Sequence, residues 1–178
     1  MTRLMWKAAR FVPAVFVLST LAASAQTTVT ISGSGSGVFE DPKVAGGAVG
    51  WATCTLNRFA RQIDCSARVY NILDLTAGHM HIGGAGIAGP VILPIPNLPL
   101  RISNDFSHTW TWKDADLAPR DNQGIHTLED VFDACASGNC YLNFHTTLNP
   151  GGEMRINMCP ESRASNTYTG VDVCHPDK

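Results

Sequence analysis

Between residues 62 and 72 every second position is apolar: Ile63, Cys65, Ala67 and Val69 share one face, while Gln62, Asp64, Ser66 and Arg68 share the other. That period of two predicts a half-buried β-strand. Residues 48–56 carry the same pattern and predict its hairpin partner. With Leu56 opposite Ile63, Cys54 falls opposite Cys65, and directly opposed cysteines lie within bridging distance, so a Cys54–Cys65 disulfide is expected. Residues 27–31 also alternate, but they run into Gly33-Ser34-Gly35-Ser36-Gly37, which reads as a flexible stretch. Further strands are predicted at 78–82, 91–95, 105–112, 140–145 and 153–158, separated by the glycines of 83–86 and the prolines of 94–99.

One segment breaks the period. Leu128, Val131, Phe132 and Cys135 recur at helical spacing, with Thr127 placed to cap the start, Asp130 three residues on, and Gly138 placed to end the turn. Cys135 and Cys140 then fall close enough to close the loop beyond this helix. The expected fold is all-β, an antiparallel Greek-key-like β-sandwich or barrel with one short helical insertion.

The ends read differently from the middle. Residues 1–25 carry Arg3, Lys7 and Arg10 with no acid, then an apolar run over 11–23 and the small-residue pattern Ala23-Ser24-Ala25. That order is a secretory signal peptide, and its apolar run is shorter than the roughly 20 residues that span a bilayer. Removing 25 of the 178 residues leaves 153, enough for one domain with a core. It also removes three basic residues, taking the formal charge from −2 to −5. A mildly acidic chain without a Lys/Arg cluster argues against nucleic acid or an anionic membrane as partner. All six cysteines lie beyond residue 25, and an even count in an exported chain implies disulfides in an oxidising, secreted or periplasmic setting. The organisation expected is a leader over 1–25, a β domain over 26–158, and a polar tail over 159–178 pinned by Cys159–Cys174.

Candidate chemistry rests on the histidines. On a strand, His79 and His81 of Gly78-His79-Met80-His81 project from one face about 6.5–7 Å apart, close enough for both rings to tilt toward one metal ion. A pair of half-exposed strand histidines is the plainer alternative. His145 ends a second strand before the turn Asn149-Pro150-Gly151-Gly152, and if that strand lies beside the first on the same face, three imidazoles converge. Three nitrogen ligands without a carboxylate suit copper, with zinc second, better than calcium or magnesium, and three ligands leave an open position. His126 is a candidate fourth ligand. His108, on a strand face with Trp110 and Trp112, reads as packed, and His175 as solvated. Met154 and Met158 are candidate soft neighbours of the site, whereas Met80 alternates away from it. A blue-copper thiolate is excluded when every cysteine can pair. Hydrolase and phosphate-binding readings fail because no G-x-S-x-G elbow and no Lys-Ser/Thr-terminated glycine loop are present.

At Ala77-Gly78-His79-Met80-His81-Ile82-Gly83 with Gly86, Gly89, Pro90 and Val91, and again at Gly138-Asn139-Cys140-Tyr141-Leu142-Asn143-Phe144-His145 with Asn149-Pro150-Gly151-Gly152-Glu153-Met154-Arg155, the sequence resembles the CHRD domain family, named for the repeated domain of the chordins. Two blocks in the right order carry the likeness over about Val29 to Met158, in a single copy. The closing glycine of the second block is replaced by Ile156 or Asn157, and the cysteines and the 127–135 helix look like additions.

A looser likeness is to copper/zinc superoxide dismutase, which also places two copper ligands in a His-x-His strand and a late histidine on a neighbouring strand. By that likeness His79, His81 and His145 would hold copper and Arg155 would attract superoxide, a small anion. The alternative for Arg155 is a structural ion pair with Glu153, two residues along the same strand face, or with a turn carboxylate. A zinc subsite and a bridging histidine are missing, so the likeness extends to a copper-only version. The competing expectations are a non-catalytic copper-binding or storage protein that meets a copper donor or acceptor protein, and a metal-free structural or interaction domain.

Overall fold

The computed structural model describes residues 28–160; the expected leader and the tail beyond Pro160, with Cys174 and His175, lie outside them. The described chain folds as eight antiparallel strands and one α-helix: β1 (Thr28–Ser36), β2 (Val49–Asn57), β3 (Gln62–Tyr70), β4 (Leu75–Ile82), β5 (Val91–Pro94), β6 (Phe106–Lys113), α1 (Leu128–Ala136), β7 (Cys140–Thr146) and β8 (Met154–Pro160). The strands form one sheet in the order β5-β4-β7-β8-β1-β2-β3-β6. Chain order is followed through β1-β2-β3, and then broken by crossovers that insert β7 and β8 between β4 and β1. The free edges, β5 and β6, approach each other: Trp112 Nε1 donates to the Pro94 carbonyl at 2.5 Å, His108 Nε2 to that of Pro96 at 2.8 Å, and Ala118 N to that of Ile92 at 2.8 Å. The sheet is thus a nearly closed barrel, the solution that leaves little unpaired strand edge.

The β2–β3 hairpin has the expected register, with Leu56 opposite Ile63 and Cys54 opposite Cys65, and the two cysteines are bridged. β1 is longer than expected. The Gly-Ser run is strand through Ser36, paired to β2 on one side and β8 on the other. A Cβ at Gly33 would stand 2.0 Å from the Asn157 carbonyl oxygen, and one at Gly35 2.0 Å from that of Arg155. Glycine is therefore required there by a close approach of two backbones, a use that composition alone reads as looseness.

The helix is capped as predicted: Asp130 N donates to Thr127 Oγ1 at 3.3 Å, and Thr127 N to Asp130 Oδ2 at 2.8 Å, a reciprocal capping box. Leu128, Val131, Phe132 and Cys135 are buried, and Cys135 is bridged to Cys140 at the start of β7. Cys159 is disulfide-bonded as well, and its expected partner Cys174 lies outside the described residues. Inside the barrel, Met80, Leu142, Phe144, Met154, Ile156 and Met158 are fully buried. Each such side chain contributes about 1.5–3 kcal/mol of transfer free energy.

β7 and β8 are buried along their whole length, on both faces. Their inner face is the core, and their outer face is polar: Tyr141, Asn143 and His145 on β7, Arg155 and Asn157 on β8. Three loops cover that polar face. Glu40 reaches it from the segment after β1, the 83–90 loop lies against Arg155, and the 147–152 turn folds back on His145. The candidate chemistry therefore sits in a roofed polar layer outside the barrel core.

Candidate metal centre

His79 and His81 share the outer face of β4, and Met80 between them is fully buried in the core, its Sδ 3.8 Å from Cys135 Sγ. β7 lies beside β4 with His145 opposite Ala77 and Asn143 opposite His79. The registry brings the third ring to the first two: ring centroids are 4.9 Å apart for His79–His145, 5.9 Å for His79–His81 and 6.2 Å for His81–His145. One nitrogen from each ring lies within 4.8 Å of the other two.

Backbone carbonyls decide which nitrogen each ring offers. His81 Nδ1 lies 2.9 Å from the Gly89 carbonyl and His145 Nδ1 lies 3.0 Å from that of Pro150. A carbonyl only accepts, so both Nδ1 atoms carry the proton and both Nε2 atoms hold a lone pair. His145 Nε2 then accepts from His79 Nδ1 at 3.0 Å. His81 Nε2 is buried and has no partner among the described residues. An orphaned buried acceptor costs about 1–3 kcal/mol, and a metal ion shared with the other two rings is a group that would satisfy it.

Burial, followed by the neighbouring His145 and His81, pushes the His79 imidazole down to about 4. Burial likewise holds His81 and His145 below the ordinary histidine value, against the opposing pull of their carbonyl acceptors. All three rings are therefore neutral at pH 7, the state that ligates metal. Among the described residues the donor set is three imidazoles with no carboxylate, which suits copper or zinc. His79, the least buried of the three, also lines a cavity of about 250 Å³ with Ile95, Leu98 and Leu100.

The sequence profile of the CHRD domain matches residues 27–156, most of the chain and both histidine-bearing strands. The chain belongs to the CHRD domain family. No curated protein and no solved structure matched it.

Within this CHRD domain the expected site residues part company. His126 stands apart from the cluster. It is exposed at the start of α1, its Nδ1 3.1 Å from Asp121 Oδ1, and its backbone N–H is held by Asp130 as part of the helix cap. Capping geometry thus places it at the exposed helix end, outside the group of three histidines. Met154 and Met158 pair with Phe144 and Cys140 on the core face, opposite the histidines, so period-two alternation excludes them as neighbours of the site. His108 is held by Pro96 and stacked on Trp110, a packed histidine.

Arg155 does reach the histidine face, but it is 1 % exposed. Its Nε donates to Asn157 Oδ1 at 2.8 Å, Nη1 to the Ile87 carbonyl at 3.0 Å, and Nη2 to the Gly84 carbonyl at 2.5 Å. The expected ion pair with Glu153 does not form. Glu153 Oε2 accepts instead from Thr146 Oγ1 at 3.1 Å and Asn149 Nδ2 at 2.5 Å, in the turn after β7. The guanidinium is turned inward onto the glycine-rich loop rather than outward to solvent.

Two residues of the polar layer escaped the sequence reading. Asn143 lies two residues before His145 on the same face, so the alternation already placed it there. Glu40 lies in an irregular segment with no local signal. Its Oε2 accepts from Asn143 Nδ2 at 3.2 Å, while Glu40 Oε1 and Asn143 Oδ1 are buried without partners among the described residues. Gly152, at φ 147°, leaves the space they occupy: a Cβ there would stand 2.6 Å from Glu40 Oε2. Burial raises the Glu40 carboxyl to about 7, against the lowering effects of Asn143 and Arg155.

Proposed function

We propose that this CHRD domain is an exported protein that holds one copper ion on His79, His81 and His145 and supports superoxide dismutase-like redox chemistry there. The observations that carry the proposal are the convergence of one ring nitrogen from each of the three histidines within 4.8 Å of one another, and the buried Nε2 of His81 that has no partner among the described residues. Zinc is the second candidate for the same nitrogens. The disulfides fit an oxidising compartment, secreted or periplasmic. Among the described residues no helix is long and apolar enough to cross a membrane.

When bound on His79, His81 and His145, copper would supply one-electron redox chemistry. The chain's own part is narrower. The Gly89 and Pro150 carbonyls fix the donor atoms of His81 and His145, burial keeps all three rings uncharged, and a cavity lies beside His79. Because Arg155 faces inward, attraction of superoxide would fall to the charge of the ion itself. That same orientation gives weight to a second reading, a non-catalytic copper-binding protein that exchanges its ion with a donor or acceptor protein.

The test is metal analysis of the mature protein, exported into an oxidising compartment and purified without histidine tags or added metal, then titrated with copper and with zinc. One tightly held copper per chain, lost in His81→Ala, supports the centre. Superoxide consumption by the copper form supports the catalytic reading, and its absence leaves the carrier. No stoichiometric metal in either titration leaves a structural domain.

A further inference from the structure

A fully buried guanidinium gives up several kcal/mol of hydration, and it is ordinarily offset by a carboxylate. Arg155 has no carboxylate within ion-pair distance among the described residues. Its donors go instead to Asn157 and to two carbonyls of one loop, those of Gly84 and Ile87. That loop, residues 83–90, is rich in glycine and has few side chains with which to anchor itself. It also carries the Gly89 carbonyl, the acceptor for His81 Nδ1.

Tyr141 completes the connection. Its hydroxyl accepts from Gly89 N at 3.0 Å and donates to the Gly89 carbonyl at 3.3 Å. Its ring stacks on His81, with centroids 4.8 Å apart and planes 15° apart. The guanidinium carbon of Arg155 lies 3.5 Å from the same ring's centroid. One residue from each of three adjacent strands, His81 on β4, Tyr141 on β7 and Arg155 on β8, thus forms a continuous stack, and all three are hydrogen-bonded to the same loop.

We propose that Arg155 and Tyr141 are positioning residues that clamp the 83–90 loop, so that the Gly89 carbonyl holds His81 in the tautomer that keeps a lone pair on its buried Nε2. The inference rests on the metal-binding reading above for its consequence, though not for its geometry. Free imidazole exchanges its proton between the two nitrogens, and the partner of one nitrogen decides the state of the other. If the loop drifts, His81 loses its acceptor and Nε2 becomes protonated in part of the population, closing that ligand position. The planar fork of arginine reaches two carbonyls at once, which the single ammonium of lysine does not. His145 is served by a different carbonyl, that of Pro150, and lies outside the clamp.

The test uses the full mature chain with Tyr141→Phe, which removes one hydroxyl and keeps the ring, and Arg155→Lys, which keeps the charge and loses the fork. Imidazole 15N shifts of the metal-free proteins report each histidine's tautomer, and competition titration reports affinity for copper and zinc. In the wild type, His81 is expected to be protonated at Nδ1 alone. In both variants it is expected to become a mixture of tautomers while His145 keeps its wild-type signature, with metal affinity falling about 10–100-fold, the usual range for losing a ligand's outer partner. An unchanged His81 tautomer in the folded variants overturns the proposal, as does an equal change at His145, which would report general loosening. So does a changed tautomer with unchanged affinity. If the wild type takes up no metal, the proposed function falls, and the tautomer comparison still decides the clamp.

Discussion

Replacing Glu40 by Gln tests whether the polar layer is as dry as its geometry implies. The carboxyl is 8 % exposed, receives one hydrogen bond from Asn143 and leaves its second oxygen without a partner. Its proton affinity rises from the ordinary value of 4.5 to about 7 because burial penalises the charged form. Below pH 4.5 the group is protonated in the folded and unfolded chains alike and makes no pH-dependent difference. Between 4.5 and 7 the unfolded chain releases the proton and the fold retains it, so stability falls as pH rises, and above 7 the loss is complete. At about 1.4 kcal/mol per tenfold change in proton affinity, that loss is about 3 kcal/mol.

Glutamine keeps the shape and an oxygen for Asn143 but carries no charge to bury. The stability of Glu40→Gln relative to wild type is therefore expected to grow by about 3 kcal/mol between pH 4.5 and pH 7.5. The measurement is urea unfolding of both proteins across that range in the presence of a chelator. The three histidines act in the opposite sense: their proton affinities are lowered in the fold, so the stability they confer is present above pH 6.5 and lost as pH falls. They are common to both proteins and cancel in the comparison. A difference that stays flat across the range would refute the reasoning, because it would mean that Glu40 is hydrated in the folded protein.

Four further outcomes are expected. His145→Ala should lower copper affinity at least as much as His79→Ala, measured by competition titration, because the Pro150 carbonyl holds His145 Nδ1 and leaves Nε2 as the donor; full retention of copper would remove His145 from the centre. Ile156→Ala, at a fully buried position on β8, should cost about 2–5 kcal/mol in urea unfolding, and a loss well under 1 kcal/mol would contradict the packing described. Gly33→Ala should destabilise the fold strongly, since its Cβ would meet the Asn157 carbonyl at 2.0 Å; a neutral effect on the melting temperature would show that β1 and β8 are not in contact there. Peptide mapping without reduction should recover Cys54 linked to Cys65 and Cys135 linked to Cys140, with no free thiol.

Alternation and spacing in the sequence were enough for the local features. The period of two over Gln62–Tyr70 placed Cys54 opposite Cys65, because register in a short hairpin follows once one face must be buried. Helical spacing after Thr127 gave α1 and its cap, since a capping box is satisfied within four residues. His79 and His81 on one face, with Met80 on the other, follow from strand geometry alone.

What tertiary structure decided is everything that depends on which distant segments meet. Residues 33–37 read as flexible because glycine lacks a side chain, but only the passage of β8 within 2.0 Å of where two Cβ atoms would sit shows why glycine is required in a strand there. Arg155 read as a cation open to an anion or paired with Glu153; the 83–90 loop folded over it and took its donors. Glu40 carries no local signature and joins the polar layer across more than 100 residues of chain, through Asn143. Likewise His145 reaches His79 only because β7 pairs with β4. A hydrogen bond or a buried charge is set by the groups that close around it, and in a barrel with crossovers those groups come from segments whose pairing no local pattern specifies.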